Sequence, residues 1–215
     1  MELTRVIFNL ILISIIRTTN GTQRSTQTIW RNCPNRDLAS SAVHLTNFNI
    51  EPNPILFPGD IYFSIEGYTN RTLGSSALHL EIAREAAWFN IPVLCIMNVG
   101  SCTYNDMCTL LDDMVSENWM GITRNLSQDI QTMLRNNGMN PGLCPQPPQT
   151  VSILRNRIQL PTIPAVLFWF AEGTYRARVR VTDNATGDEL VCFDLRISMK
   201  KTNRECSDFW GCAFN

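Results

Sequence analysis

Histidine is almost missing from this chain: its 215 residues include 2, His44 and His79, both at strand-like positions among polar neighbours and read as surface or rim residues. No Gly-x-Ser-x-Gly elbow occurs, so no hydrolase nucleophile with its base is visible. The carboxylates Asp112, Asp113 and Glu117 fall on the polar side of an expected helix, where they are ordinarily a solvated face. A carboxylate pair assembled from distant loops is the alternative left open. Metal ligation lacks its pattern as well. Six residues separate Cys95 from Cys102, and five separate Cys102 from Cys108 and Cys206 from Cys212. Zinc sites use closer C-x2–4-C pairs together with histidine. There is no surplus of positive charge either, with 18 basic against 19 acidic residues, so no nucleic-acid partner is implied. The apolar run from Val6 to Ile16 is too short for the roughly 20 residues of a membrane-spanning helix.

What is present begins with that run. Arg5 precedes it and small polar residues (Thr18, Thr19, Gly21, Thr22) follow, the pattern of a cleavable secretory signal peptide over residues 1–21, with removal near Thr19 to Gly21. An uncleaved anchor is the alternative. Removal leaves 16 basic and 18 acidic residues, a net charge of −2. Eight cysteines behind such a leader argue for disulfides in an oxidising compartment. Four sequons agree, at Asn20, Asn70, Asn125 and Asn184. Asn70, Asn125 and Asn184 are the expected glycosylation sites, the first and last in turn-like contexts, whereas Asn20 sits in the cleavage region. With 44% apolar and 17% charged residues, the rest suits one globular domain with a real core.

Along the mature chain the period is mostly two. Val43 to Ile50 forms a short strand that runs into Glu51 to Asp60, where Pro52, Pro54 and Pro58 forbid a central ladder and force an extended crossing. Ile61, Phe63 and Ile65 alternate with polar residues as a half-buried strand. Leu78, Leu80 and Ile82 face one way in the next, with His79, Glu81 and Ala83 on the other side. Ala86 to Leu94 reads as a third strand, broken or edged at Pro92. The period then becomes helical: Met107, Leu110, Leu111, Met114 and Val115 share a stripe, with Asn105 or Thr103 as cap. A second helix is expected from Ser127, with Leu126, Ile130, Met133 and Leu134 inward and Gly138 as its stop. Val151 to Leu160 is a strand. Tyr175, Ala177, Val179 and Val181 then alternate with Arg176, Arg178 and Arg180 up to a hairpin turn at Asp183 to Gly187. The return strand turns Val191, Phe193, Leu195, Ile197 and Met199 inward, so Cys192 must be bridged from outside the sheet face. These signals add up to an all-β, antiparallel β-cup or sandwich with one or two short helices in its middle insertion.

Two features invite a functional reading. The arginines at 176, 178 and 180 could meet anionic headgroups or sulfated sugar, but neighbouring acids such as Asp194 offer ordinary pairing. The run Ala165 to Ala171 is either a strand buried on both faces or a rim loop that dips into lipid; its position between Pro164 and Gly173, crowded with Phe168, Trp169 and Phe170, supports the rim. Trp119 with Met120, after the first helix, is a second such candidate.

The residues Trp30-x-Asn-Cys33, Glu51-Pro-Asn-Pro-Ile-x-x-Pro-Gly-Asp60, Pro92-Val-Leu-Cys95, Gly100-Ser-Cys102, Cys108, Cys144-Pro145, Trp169-Phe-x-x-Gly-x-Tyr175 and Leu190-Val-Cys192 occur in this order. Together they resemble the ganglioside GM2 activator type within the ML (MD-2-related lipid-recognition) family, over roughly residues 30 to 200. The resemblance implies a cup with an apolar lipid cavity and mobile rim loops, acting without catalysis. It also implies the pairs Cys33–Cys192, Cys95–Cys102 and Cys108–Cys144. On the chain-entropy account the first is worth roughly 5 kcal/mol and the short second loop about half that. The family commonly has a further cysteine pair between the positions of Cys108 and Cys144; here an insertion over about 115–140 stands instead. Cys206 and Cys212, in an extension past the family's usual end, are expected to bond to each other.

The sequence thus leads to a signal peptide over 1–21, a lipid-binding domain over 22–201 and a C-terminal extension over 202–215. The expected protein is non-catalytic, secreted or lysosomal, and needs no metal or cofactor. It extracts glycosphingolipid from a membrane it touches transiently and presents it to a soluble glycosidase of the β-hexosaminidase type. Trp119, Met120, Val166, Leu167, Phe168, Trp169 and Phe170 are its expected lipid contacts. An extracellular recognition module that senses or carries other lipids is the alternative.

Overall fold

The computed structural model describes residues 29–34, 41–162 and 172–201. The expected signal peptide, the expected contacts Val166 to Phe170, and the expected Cys206–Cys212 bridge lie outside the described residues. In chain order the elements are β1 (Ile29–Asn32), β2 (Val43–Glu51), β3 (Ile55–Phe57), β4 (Gly59–Thr69), β5 (Ser76–Glu85), β6 (Asn90–Pro92) and β7 (Thr103–Tyr104). The helices α1 (Met107–Glu117) and α2 (Thr123–Asn136) follow, separated by a 3-10 turn at Trp119–Gly121, and β8 (Thr150–Leu160), β9 (Gly173–Asp183) and β10 (Glu189–Lys201) complete the series.

The strands form two sheets. The larger has the order β1-β10-β9-β5-β6, with β3 also on β10 and β7 also on β5; the smaller is β2-β4-β8. Every pairing is antiparallel except β3 with β10. The expected antiparallel β class with two short helices in the middle is therefore what the chain adopts. The proline-rich crossing carries β3 from the smaller sheet to the margin of the larger one, where a three-residue strand pairs with the last residues of β10. Proline tolerates such an edge position because no inner ladder bond is lost.

Register shows why β8 can bury Ile153 and Ile158, which are 1% and 4% exposed although an odd number of residues apart. A plain strand would send them to opposite faces. The β4–β8 register shifts between Phe63 and Ile65, Arg155 takes φ +47°, and its N–H donates to the buried Ser64 Oγ at 3.0 Å. The extra residue of this bulge restores both isoleucines to the core side. There they pack with Ile55, Ile61 and Met133, the last supplied by α2. A second buried cluster joins Ala42, Val181, Leu190 and Val191. Phe48, edge-on to Phe63 and tilted against Phe193, spans the two sheets.

The helix boundaries differ from the periodicity reading. α1 is capped by Asp106, whose carboxylate accepts from the Cys108 N–H at 2.9 Å, rather than by Asn105 or Thr103; Thr103 is already committed to β7. α2 starts at Thr123, four residues before Ser127. Ser127 is 0% exposed and donates its hydroxyl to the Leu111 carbonyl at 2.6 Å, while Thr123 donates to the Met114 carbonyl at 2.8 Å. Both hydroxyls are spent on fastening α2 to α1, and the Asn118 side chain receives the Arg124 N–H instead. Ala86 to Leu94 is not one strand. It reverses over Ala86 to Phe89, with the Ala86 N–H donating to the Phe89 carbonyl, and returns as the short β6 beside Ala83 to Glu85.

Three disulfides join Cys33 to Cys192, Cys95 to Cys102 and Cys108 to Cys144, the pairing that the resemblance implied. Cys192 lies in register with Arg180, on the side of the sheet away from the inner apolar row, and β1 brings Cys33 to it.

Candidate functional site

The inner face of the larger sheet is a grid of apolar side chains set by strand register. Its first row is Leu78, Val181 and Val191; the second is Leu80, Val179 and Phe193; the third is Ile82, Ala177 and Leu195. Val181 and Val191 in the first row are buried. The second row and most of the third are only half-buried, although they share the inner face of the sheet, where Phe193 meets Phe48 of the smaller sheet. An interior that is apolar but incompletely filled can accept an apolar guest.

Most outer positions between these residues carry charge, His79 and the bridged Cys192 being the exceptions. Arg178 pairs with Asp194 at 2.8 Å, and Arg196 pairs with Glu85 at 2.7 Å while Arg176 shares the same carboxylate. Hydrogen bonding from Arg196 holds the Glu85 carboxyl down at about 2, and Arg178 lowers that of Asp194. Arg176 and Arg178 of the stripe are therefore matched by acids on neighbouring strands. An open cleft of about 660 Å³ runs between the same ion pairs, with Ile29, Ala83 and Pro92 along its sides and Ile82, Ala177 and Leu195 of the third row also lining it.

One pole of the sandwich is apolar at its surface. The Ala86 to Phe89 reversal exposes Trp88 by 95% and Phe89 by 64%. Farther along, Leu94, Ile96 and Met97 are also exposed. Met97 and Asn98 both take positive φ between the mutually bonded Ile96 and Val99, the geometry of a tight hairpin turn. Methionine is an unusual occupant of that conformation. The Cys95–Cys102 disulfide closes the loop, and the Tyr104 hydroxyl donates to the Asn98 carbonyl at 2.9 Å. Gly100, at φ +113°, lies where a Cβ would strike the Leu94 carbonyl. These constraints hold a loop of exposed apolar side chains in one shape.

Of the expected lipid contacts, Val166 to Phe170 fall in the undescribed stretch. Its flanks are placed, however: β8 ends at Leu160 beside Gly59, and β9 begins with Gly173 beside Met199. Tyr175 pairs with Arg84 just before the Trp88 reversal, so the chain leaves one sheet and enters the other at the pole that carries Trp88. Trp119 is not presented to solvent. It is 8% exposed, stacks on Tyr104 at 5.4 Å and donates its Nε1–H to the Glu117 carboxylate at 2.6 Å. Met120 is half-buried in the turn that follows. Trp88 and Phe89 were the residues missed in sequence. Their signal is two aromatics directly before Asn90, a turn former, inside a segment otherwise read as continuous strand.

His44 stacks on Tyr68, and both ring nitrogens of His79 lie within hydrogen-bond range of threonine hydroxyls, Thr103 and Thr182. Among the described residues no group of three or more His, Cys, Asp or Glu side chains is placed to hold a metal ion, and no helix is long and apolar enough to cross a membrane.

No protein-family model matches the chain. Two curated relatives do: the mouse (Mus musculus) ganglioside GM2 activator is 26% identical over 172 residues, covering 80% of this chain and 81% of that protein. The ganglioside GM2 activator of Macaca fascicularis is 29% identical over 175 residues, covering 80% and 82%. Among solved structures, a Niemann-Pick type C2 protein from the Japanese carpenter ant aligns with a TM-score of 0.39 and 8% identity over 80% of this chain and 99% of that one, too distant a likeness to argue from.

Proposed function

We propose that this chain, which is ganglioside GM2 activator-like in sequence as its motifs indicated, is a secreted or lysosomal glycoprotein that binds and transfers lipid without catalysis of its own. It touches a membrane with the Trp88 pole, takes up the acyl chains of a glycosphingolipid against the inner apolar grid, and leaves the sugar outside for a soluble glycosidase of the β-hexosaminidase type. The observation that carries this reading is the pairing of an underfilled apolar interior with an exposed aromatic reversal at the pole where the sheets exchange their chain. An acyl chain gains about 0.8 kcal/mol for each CH₂ it buries, so an interior that accepts it must replace nearly all of the bilayer's apolar contact. Apolar side chains already seated in the interface shorten the polar gap that the lipid crosses. Residues Val166 to Phe170 belong to the same proposed contact, whereas the packing of Trp119 supports a structural role for it.

The test is transfer of a fluorescent glycosphingolipid from donor to acceptor vesicles by the purified protein. Val179→Asp, which would set a charge in the middle of the inner grid, is expected to abolish transfer. No extraction of any sphingolipid or phospholipid tried would sink the proposal. Transfer of phospholipid with no acceleration of a β-hexosaminidase on membrane glycolipid would move it to a carrier of other lipids.

A further inference from the structure

Asn70 directly follows β4, and Asn184 lies in the turn between β9 and β10. Both are exposed, as are Thr72 and Thr186, the hydroxyl residues of their sequons. Register brings the two sites to one pole. Thr69 pairs with Val43, and the Asn70 N–H donates to the Ala42 carbonyl; Asp183 pairs with Ser76, and the Asn184 N–H donates to the Ser75 carbonyl. From Ser76 strand β5 then runs 10 residues to Glu85 and the apolar reversal. At about 3.3 Å per residue, that separates the sequons from Trp88 by roughly 30 Å. Asn125 differs: it is exposed on α2, but its sequon hydroxyl, that of Ser127, is buried in the contact with α1.

We infer that Asn70 and Asn184 carry N-linked oligosaccharides and that these two glycans mark the pole turned away from the membrane, the second part resting on the membrane contact proposed above. In the transfer a bond forms between the asparagine Nδ2 and C1 of the first sugar. The C1–O bond to a polyprenyl diphosphate carrier breaks, the diphosphate departs with the bonding pair, and Nδ2 loses one proton. One N–H remains on each side chain. For Asn184 it can keep one of the two present bonds, to the Ser75 hydroxyl or the Asn105 carbonyl, both 2.8 Å; for Asn70 it can keep the 3.0 Å bond to the Ser41 carbonyl. A hydrated oligosaccharide does not enter hydrocarbon, because its hydroxyls would lose their partners. Two of them at one pole leave the opposite one as the membrane-facing end and fix an end-on approach.

Glycopeptide mapping of the full chain secreted from eukaryotic cells, before and after enzymatic deglycosylation, tests the modification. Sugar on both asparagines is expected, and an unmodified Asn70 or Asn184 overturns that assignment. For the pole, the double variant N70Q/N184Q should associate with phosphatidylcholine–ganglioside vesicles as the parent does. Pro92→Thr completes a sequon at Asn90, beside the apolar reversal. Its glycosylated form should lose vesicle association about tenfold or more, equivalent to roughly 1.4 kcal/mol, and regain it on deglycosylation, with Pro92→Ala as control for the lost proline. Undiminished binding by glycosylated P92T overturns the pole assignment. Hydrogen exchange on the parent gives a label-free second measurement: vesicles should protect residues 86–91 and spare 69–76 and 183–188, and protection of the latter overturns the orientation. A parent that never associates with vesicles overturns the membrane reading and the pole with it, while the glycopeptide map still decides the modification.

Discussion

At one pole of the larger sheet Ser76 and Ala77 are each 7% exposed and Leu190 1%; at the other Trp88 is 95% exposed and Phe89 64%. The same strands run through both poles, so the contrast does not come from topology. It comes from what each strand end meets. At the sequon-bearing pole Ala42, Leu190, Val191 and Val181 close on one another, and the Cys33–Cys192 bridge ties β1 across β10 nearby. At the aromatic pole Ile55, with Met199 and Leu160 packed against its cluster, still belongs to the core, but the Trp88 and Phe89 of the reversal stay exposed and add little to folding. Apolar area removed from water stabilises at about 25 cal/mol per Å² only where it is removed. The contrast is therefore confined to the reversal, whose rings contribute little to holding the sandwich together.

The sharpest way to break this contrast is to cut the closed pole. Replacing both cysteines in C33S/C192S opens a loop with a sequence separation of 159 and should cost roughly 5 kcal/mol, read as a large fall in the urea midpoint. A loss under about 1 kcal/mol would mean that stability is not concentrated there. Next in size is the aromatic reversal. W88S/F89S should change unfolding free energy by no more than about 0.5 kcal/mol yet weaken vesicle association about tenfold or more, since seating each ring in an apolar phase is worth roughly 1.5–3 kcal/mol. Equal losses in both measurements would erase the contrast.

Glu85 sharpens it further, because it ends β5 at the aromatic pole and yet is firmly held. Its carboxyl lies at about 2 in the folded chain, against an ordinary 4.5, chiefly because Arg196 donates to it and Arg176 assists. A depressed carboxyl stabilises fully above its unfolded value and loses that contribution as pH falls through the folded one. Glu85→Gln should therefore cost on the order of 1 kcal/mol at pH 5, moderated by the solvent around both arginines, and almost nothing near pH 2. A cost that persists undiminished at pH 2 would show that the carboxylate charge is not what matters. Smallest is Arg31→Ala. This side chain is 73% exposed and 3.5 Å from Asp194, so thermal unfolding should register no more than a few tenths of a kcal/mol.

The closed pole was largely legible in the sequence, because period-two alternation fixes which side of a strand goes inward. Val179, Val181, Val191 and Phe193 could be assigned from spacing alone, and the arginines between them to the outer face. The aromatic pole was not legible for a physical reason. Ala86 to Leu94 has the same strand propensity whether it runs straight or folds back, and only the pairing of Asn90 to Pro92 with Ala83 to Glu85 decides for the reversal. Trp119 shows the converse. An aromatic at a helix end looks available in sequence, but its partner Tyr104 comes from β7, before the helix begins. The start of α2 was displaced for a similar reason: a serine suited to capping was instead used to fasten one helix to the other. The odd spacing of Ile153 and Ile158 carried a trace of the bulge, visible once both were known to be buried.

The Cys108–Cys144 bond joins the first turn of α1 to the loop that follows α2, so it closes a ring over a sequence separation of 36 that holds nearly all of the helical insertion. Seen from the sandwich, everything between those two sulfurs hangs from a single covalent collar. Strands β7 and β8 lie just outside it, and their positions do not depend on how many residues the ring contains. Lengthening such a loop carries only a slowly rising entropic cost. The helices within it could be shortened, extended or exchanged during evolution while β7 and β8 stayed in place, provided the replacement still offered the core a side that fills the space of Met133 and Leu126. The fold thus possesses an exchangeable cartridge beside its two sheets, a segment that can be remodelled without re-engineering either of them.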